Sequence, residues 1–377
     1  MTSRFAIAKQ VALDHLETLI PELFGSGAAA RHKRGGLWNV VWPWRARAKA
    51  SQTVIWLSGA RRGGWTDFVS GDKGDVIDLV AAVQSGAVTS QSRVDAVAWI
   101  EDRFNLSRLD EATRERMAAE ARTRRVAVEA AEEQRREAMR ARARKMFFSC
   151  QDWRGTLVET YLREARGIEL RDVPNVGNAL RFHPSCEYWL GAPRDADGKR
   201  CGEAPRFPAM IGAMVDRAGR IGACHYTFLA PDGRDKAQAI PFGDDVAKAK
   251  MMFPETQGLR IRLTLGPSGL GMEQAAEAGV SGIEGITEGI EDGLSAAWAD
   301  GELRMSAAGS LSGYLSLYDH AAASGYLLFR DNDWDNPQAA ATFDKALARM
   351  RRFDKPVEPV AMPASWGKDV NDVLRSE

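Results

Sequence analysis

Cysteine is scarce and scattered in this chain: Cys150, Cys186, Cys201 and Cys224 lie far apart, with no C-x-x-C pair among them. Structural zinc sites take thiolates at short spacing, so this spacing argues against a zinc ribbon, and no zinc is expected. Long apolar runs are missing too, and no apolar segment follows a charged N-terminus. The chain is therefore expected to cross no membrane and, with unpaired thiols, to work in a reducing cytoplasm. The glycine-rich GPSGLG at 266–271 lacks the lysine and the Ser/Thr of a phosphate loop. Acidic residues are absent between Leu23 and Thr66, where eight basic residues stand: Arg31, Lys33, Arg34, Arg45, Arg47, Lys49, Arg61 and Arg62. From Val280 to Asn336 the balance reverses, with ten Asp or Glu against Arg304 and Arg330.

What is present describes an ordinary globular protein: 377 residues, 45% hydrophobic and 27% charged, with room for two or three domains. The formal net charge of zero hides a basic front and an acidic rear, a distribution that suits a protein gripping a polyanion at one end and metal at the other. Two solvated faces of opposite sign are the plainer alternative.

Residues 5–24 place Phe5, Ile7, Val11, Leu13, Leu16, Leu19, Ile20 and Leu23 at helical spacing, predicting one amphipathic helix. Between 36 and 69, alternating Trp38, Val40, Trp42 and Trp44, then Val54, Trp56, Trp65 and Phe68, with Gly-Gly breaks, predict short antiparallel strands. Helices follow to about Phe104, giving a small α+β domain over 1–109. Residues 110–149 begin as an Ala/Arg/Glu stretch with a thin apolar stripe and no Gly or Pro up to 146, and predict a long exposed linker helix. A coiled coil is the rival, but no sustained heptad supports it. Residues 150–279 read as a mixed α+β region with a hairpin turning at Pro231–Gly233.

Residues 280–377 alternate regularly: strand 282–287, helix 290–299, strand 304–308, helix 311–323, strand 326–330, helix 337–351 and strand 357–362. Such alternation implies right-handed βαβ units and a four-stranded parallel sheet. Ligands of such sheets bind outside the carboxyl ends of the strands, where Glu288, Asp331 and Asp333 fall. Carboxylates held close repel unless a cation offsets them, and hard oxygen ligands select Mg2+ or Mn2+. Ordinary polar strand ends are the alternative.

The motifs TEGIEDGLSAA, LLFRDND and WGKDVNDVL, in that order, resemble the Toprim domain of bacterial primases, topoisomerases and related nucleases. The resemblance implies metal binding and catalysis by Glu288, Asp331 and Asp333, with Asp292 as a further metal-binding acid. More narrowly, YLREARGIELRD, PAMIGAMVDRAGRIGACHYTFLAPDGRDKA and KMMF resemble the catalytic core of primase-like proteins of prophages, plasmids and other mobile elements. That core implies template or nucleotide contacts by Lys236 and Lys250, by Arg206 and His225, and by Lys368, Asp369 and Asp372 of the last motif. GWTDFVSGDKGDVIDLVAAV resembles the end of the primase zinc-binding domain, here without its metal ligands. In that reading Arg31, Lys33, Arg34, Arg45, Arg47, Arg61 and Arg62 hold single-stranded DNA, with tryptophans stacking bases or simply filling a core. The resemblance implies a multidomain α+β primase-like enzyme using Mg2+ or Mn2+, NTPs and single-stranded DNA, with a separate helicase as partner. A Toprim nuclease and a non-catalytic DNA-binding replication module are the alternatives.

Overall fold

The computed structural model describes residues 2–25, 33–34, 36–42, 53–68, 70–106, 111–193, 195, 200–238, 240–242, 245–332, 336–363, 365 and 367–376. Asp333, Arg31, Arg45 and Arg47 lie outside them, and of Lys33 and Arg34 only the backbone is described. The chain divides into two compact units, Met1–Arg136 with Arg194–Arg200, and Glu137–Pro193 with Cys201–Glu377.

The first unit opens with two helices, not the single one expected: α1 (Thr2–Asp14) and α2 (Leu16–Phe24). His15 leaves helical geometry at ψ 18° and stacks its ring on Phe104 at 4.8 Å, and the new direction buries Leu16, Leu19 and Ile20. A five-stranded antiparallel sheet follows, in sequence order: β1 (Lys33–Arg34), β2 (Leu37–Val40), β3 (Thr53–Trp56), β4 (Trp65–Asp67) and β5 (Lys73–Gly74). Trp38, Trp42 and Trp65 are buried in one core with the helices, Trp42 meeting Trp65 edge-on at 5.2 Å. These tryptophans fill a core, as apolar bodies of that size do when strands cover them.

Helices α3 (Val76–Ser85) and α4 (Ser90–Arg103) complete the layer. The GDVIDL stretch is a capping box: Asp75 accepts from the Ile77 and Asp78 amides, and Asp78 accepts from the Asp75 amide. Arg62 is held by both Glu17 oxygens at 2.8 Å, by the Leu13 carbonyl at 2.9 Å and by the Leu57 carbonyl. Arg61 is exposed and lies over the Trp56 ring. Helix α5 (Glu111–Ser149) is one continuous helix of 39 residues.

The second unit contains two larger sheets. The first has the order β12-β9-β8-β7-β6 and is antiparallel throughout. Its strands are β6 (Gln151–Asp152), β7 (Leu180–Glu187), β8 (Arg206–Val215) and β9 (Ile221–Phe228), a separate hairpin of β10 (Ile240–Phe242) and β11 (Asp245–Ala247), and then β12 (Lys250–Phe253). Between β6 and β7, α6 (Leu157–Thr160) runs into a wider π turn at Tyr161–Ala165. One face of this sheet packs Ala209, Ile211, Cys224, Tyr226 and Phe228 on Ala143 and Phe147 of α5. The other face, through Met210, Met214 and Ala223, joins a core with Ile290 and Leu294.

The other sheet is built from β13 (Ile261–Arg262), α7 (Met272–Glu277), β14 (Gly282–Thr287), α8 (Ile290–Ala299), β15 (Arg304–Ala307), β16 (Ala323–Arg330), α9 (Pro337–Met350), β17 (Val357–Ala361) and α10 (Val370–Ser376). Its strand order is β13-β15-β14-β16-β17. Four strands run parallel, and β13 adds an antiparallel edge, so the sheet expected with four strands has five. The helix expected over 311–323 is only a 3-10 turn at Leu311–Ser316. Ser310 caps Gly313 through its hydroxyl, and a side chain at Gly313 would strike the Ala308 carbonyl at 2.4 Å, so the turn stays tight. Glu284 of β14 and Arg260 form a fully buried ion pair at 2.9 Å, with Ser306 of β15 donating to Glu284 at 2.6 Å.

Candidate functional site

Strands β14 and β16 are parallel neighbours, so their carboxyl ends open on the same edge. Glu288 follows β14, Asp331 follows β16, and the two line one small hollow over Tyr314, Phe329 and Phe343. Asp292 stands in the first turn of α8, buried, and accepts from the Asn371 amide at 3.2 Å. The last motif is tied to the same edge: the Asn332 amide donates to the Lys368 carbonyl at 2.7 Å, and its side chain to the Gly367 carbonyl at 2.6 Å. Within that turn, Asp369 caps the Asp372 amide and Asp372 caps the Lys368 amide, each at 3.0 Å. Asp372 is therefore a capping residue of the motif, and Asp369 both caps and faces the acidic edge.

These carboxylates act on one another through space. Burial, then Asp369, Asp331 and Glu291, hold the Asp292 carboxyl well above the usual carboxylate range. The Tyr314 hydroxyl is pushed up by burial and then by Asp331, Glu288 and Asp292. A side chain at Gly289 would lie 2.6 Å from the Asp292 carboxylate, so glycine leaves that carboxylate its present place. Among the described residues no three His, Cys, Asp or Glu sit together as a metal-holding group. The donor type nevertheless suits a hard divalent cation, since hard oxygens crowded against their own charge are what such an ion offsets.

Beside the acidic edge lies a basic wall. On β9, alternate residues His225 and Thr227, and Leu229 beyond the strand, share one face. Their partners across the edge are Met252, Lys250 and Lys236. The two lysines expected from sequence thus emerge on one face, two positions apart. Lys250 Nζ meets Glu291 Oε2 at 2.8 Å, and Tyr161 donates to Glu291 Oε1 at 2.7 Å while accepting from Arg166 at 2.9 Å. The sheet approaches α8 closely: a side chain at Gly212 would lie 3.1 Å from the Ile290 side chain.

Burial opposes charge on Glu291, but Lys250 and Lys236 outweigh it and hold the carboxyl far below its ordinary range. Burial likewise works against the Lys250 charge, and Glu291 more than offsets it. Lys236 is pushed down to about 8 by burial and Lys250, and His225 to about 4 by burial and Lys250, so the imidazole is neutral. Arg206 lies elsewhere on β8, exposed and bonded to Ser185. Glu291, Tyr161 and Arg166 escaped the sequence reading. The one signal was for Glu291, the acid just before Asp292, which a helix turns to a different side from its neighbour.

Residues 137–263 match a family described as a domain of unknown function, DUF7146. No curated protein matches the chain. Among solved structures, the chain is similar to a DNA primase domain from Pseudomonas aeruginosa at 17% identity and a TM-score of 0.38, covering 63% of this chain and 75% of that one. It is also similar to a DnaG primase catalytic domain bound to single-stranded DNA, at 14% identity and a TM-score of 0.39, covering 65% and 76%. The E. coli primase catalytic core aligns at 16% identity and a TM-score of 0.36, covering 64% and 76%.

Proposed function

We propose that this protein is a Toprim-type, primase-like nucleotidyltransferase of mobile elements that makes short primers on single-stranded DNA with NTPs and Mg2+ or Mn2+. The observation that carries this reading is the first turn of α8. There the consecutive residues Glu291 and Asp292 face two different environments, Glu291 the lysines and Asp292 the acids. One helical turn thus joins a cationic wall to a carboxylate edge, which is the pairing that phosphoryl transfer from a triphosphate needs. The ordered Toprim-like motifs support the same reading.

In this mechanism Glu288, Asp292, Asp331, Asp333 and Asp369 would hold the divalent cation. When bound, it supplies neutralisation of phosphate charge and activation of the attacking hydroxyl. The basic wall would draw the triphosphate to that edge, and Tyr314 braces the edge from below, its hydroxyl 2.9 Å from the Phe329 carbonyl. Arg31, Lys33, Arg34, Arg45, Arg47 and Arg61 would bind the template, Arg62 being committed to Glu17 and two carbonyls, and a separate helicase would supply it.

The test is incubation of wild type and Asp331→Ala with single-stranded DNA, NTPs and Mg2+ or Mn2+. Metal-dependent primers that vanish in the variant are the expected result. Shortened DNA identifies a nuclease instead, and DNA binding with neither product identifies a non-catalytic replication module.

A further inference from the structure

The two lysines of the basic wall differ in what they face. Lys250 is in contact with a carboxylate that is 5% exposed. Both oxygens of that carboxylate are engaged, one by Lys250 and one by Tyr161, and Tyr161 is itself fixed by Arg166. Lys236 makes no ion pair with any described residue, although it lies on the same face. Its sequence neighbour Asp235 is turned away from that duty, accepting from the Lys236 backbone amide at 2.7 Å and from Gln238 at 2.8 Å.

Resting on the polyanion reading above, we propose that Glu291 is a positioning residue: it commits Lys250 to a half-buried structural strut and leaves Lys236 as the lysine that meets phosphate. The physical argument is one of competition. An ammonium held at 2.8 Å by a buried carboxylate is already neutralised locally, so an arriving phosphate gains less from it than from a lysine with no counter-charge. Lys236 instead carries a charge that its surroundings disfavour, and an anion relieves that strain. The strut also has a placement role. It spans from β12 to the first turn of α8, so it fixes the antiparallel sheet against the helix that carries Asp292.

Four variants test this: Lys250→Met, Glu291→Met, the double variant, and Lys236→Met. Each is measured twice, by thermal unfolding and by titration with inorganic tripolyphosphate in a calorimeter. Lys250→Met should unfold at a clearly lower temperature, because Glu291 is left buried and unpaired. The double variant should recover most of that loss and bind tripolyphosphate within about threefold of wild type. Lys236→Met should unfold at no lower temperature than wild type and bind about tenfold more weakly or worse.

A double variant no more stable than Lys250→Met overturns the strut. A double variant that folds but loses binding shows that Lys250 itself holds the anion, and overturns the division of roles. Wild type that fails to bind tripolyphosphate overturns the polyanion reading and the assignment of Lys236, while the unfolding cycle still decides the strut by itself.

Discussion

Replacing Asp292 by Asn removes a charge that burial and the neighbouring acids both oppose. Asp292 is 7% exposed and faces Asp369, Asp331 and Glu291, and its carboxyl is held well above the ordinary range. Asn keeps the one hydrogen bond that Asp292 makes to the Asn371 amide, since an amide oxygen accepts as a carboxylate does. It removes a negative charge and offers donors to the neighbouring acids. A carboxyl held above its ordinary range costs the folded state stability wherever it must ionise, so the metal-free variant should be more stable than wild type at neutral pH.

The sign of the pH dependence follows from the same shift. A raised folded pKa means that the folded state holds its proton more tightly. Wild type without metal therefore has the full contribution below the ordinary carboxylate range, and loses it as pH rises through the elevated value. The Asp292→Asn variant has no such loss, so the two stability curves should meet in acid and separate toward neutrality. Adding Mg2+ should close the gap from the other side: at ten times the dissociation constant, wild type gains about 1.4 kcal/mol. The variant, lacking a ligand, should gain less. The assay is thermal unfolding across pH, with EDTA or with Mg2+. A metal-free Asp292→Asn protein no more stable than wild type, or one that responds to Mg2+ equally, refutes the reasoning.

Two further outcomes follow from buried charge. Glu284→Gln should cost about 3–5 kcal/mol in denaturant unfolding, because it leaves Arg260 fully buried without its counter-charge; a change below about 1 kcal/mol would show that the pair is dispensable. His225, depressed to about 4, should give neutral-imidazole chemical shifts in NMR down to about pH 5. Its contribution to stability is full above the unfolded histidine value near 6.5 and is lost as pH falls from there through about 4, on the order of 3 kcal/mol in total; imidazolium shifts at pH 6 would contradict its burial.

Local pattern determined much of this protein. The alternation of apolar runs after Gly282 made the parallel strands legible, because each strand and helix is a short-range consequence of periodicity. The Asp75–Asp78 box was equally written in four consecutive residues, although its capping role reads from the hydrogen bonds alone. Periodicity misled at 311–323, where serine hydroxyls and Gly313 favour a tight turn over the continued helix. It misled again at His15, where a ring from 89 residues away stacks on the break.

Only the tertiary structure decided which charges are partners. Glu291 bonds Lys250 across 41 positions and Tyr161 across 130, and no spacing rule connects residues so far apart in the chain. The fate of a charge depends on what desolvates it and what stands opposite, both of which are properties of packing. Sequence named the acids at the strand ends and the lysines beside them. The fold turned one acid of a neighbouring pair toward the carboxylates and the other toward the lysines, because successive helical residues point in different directions.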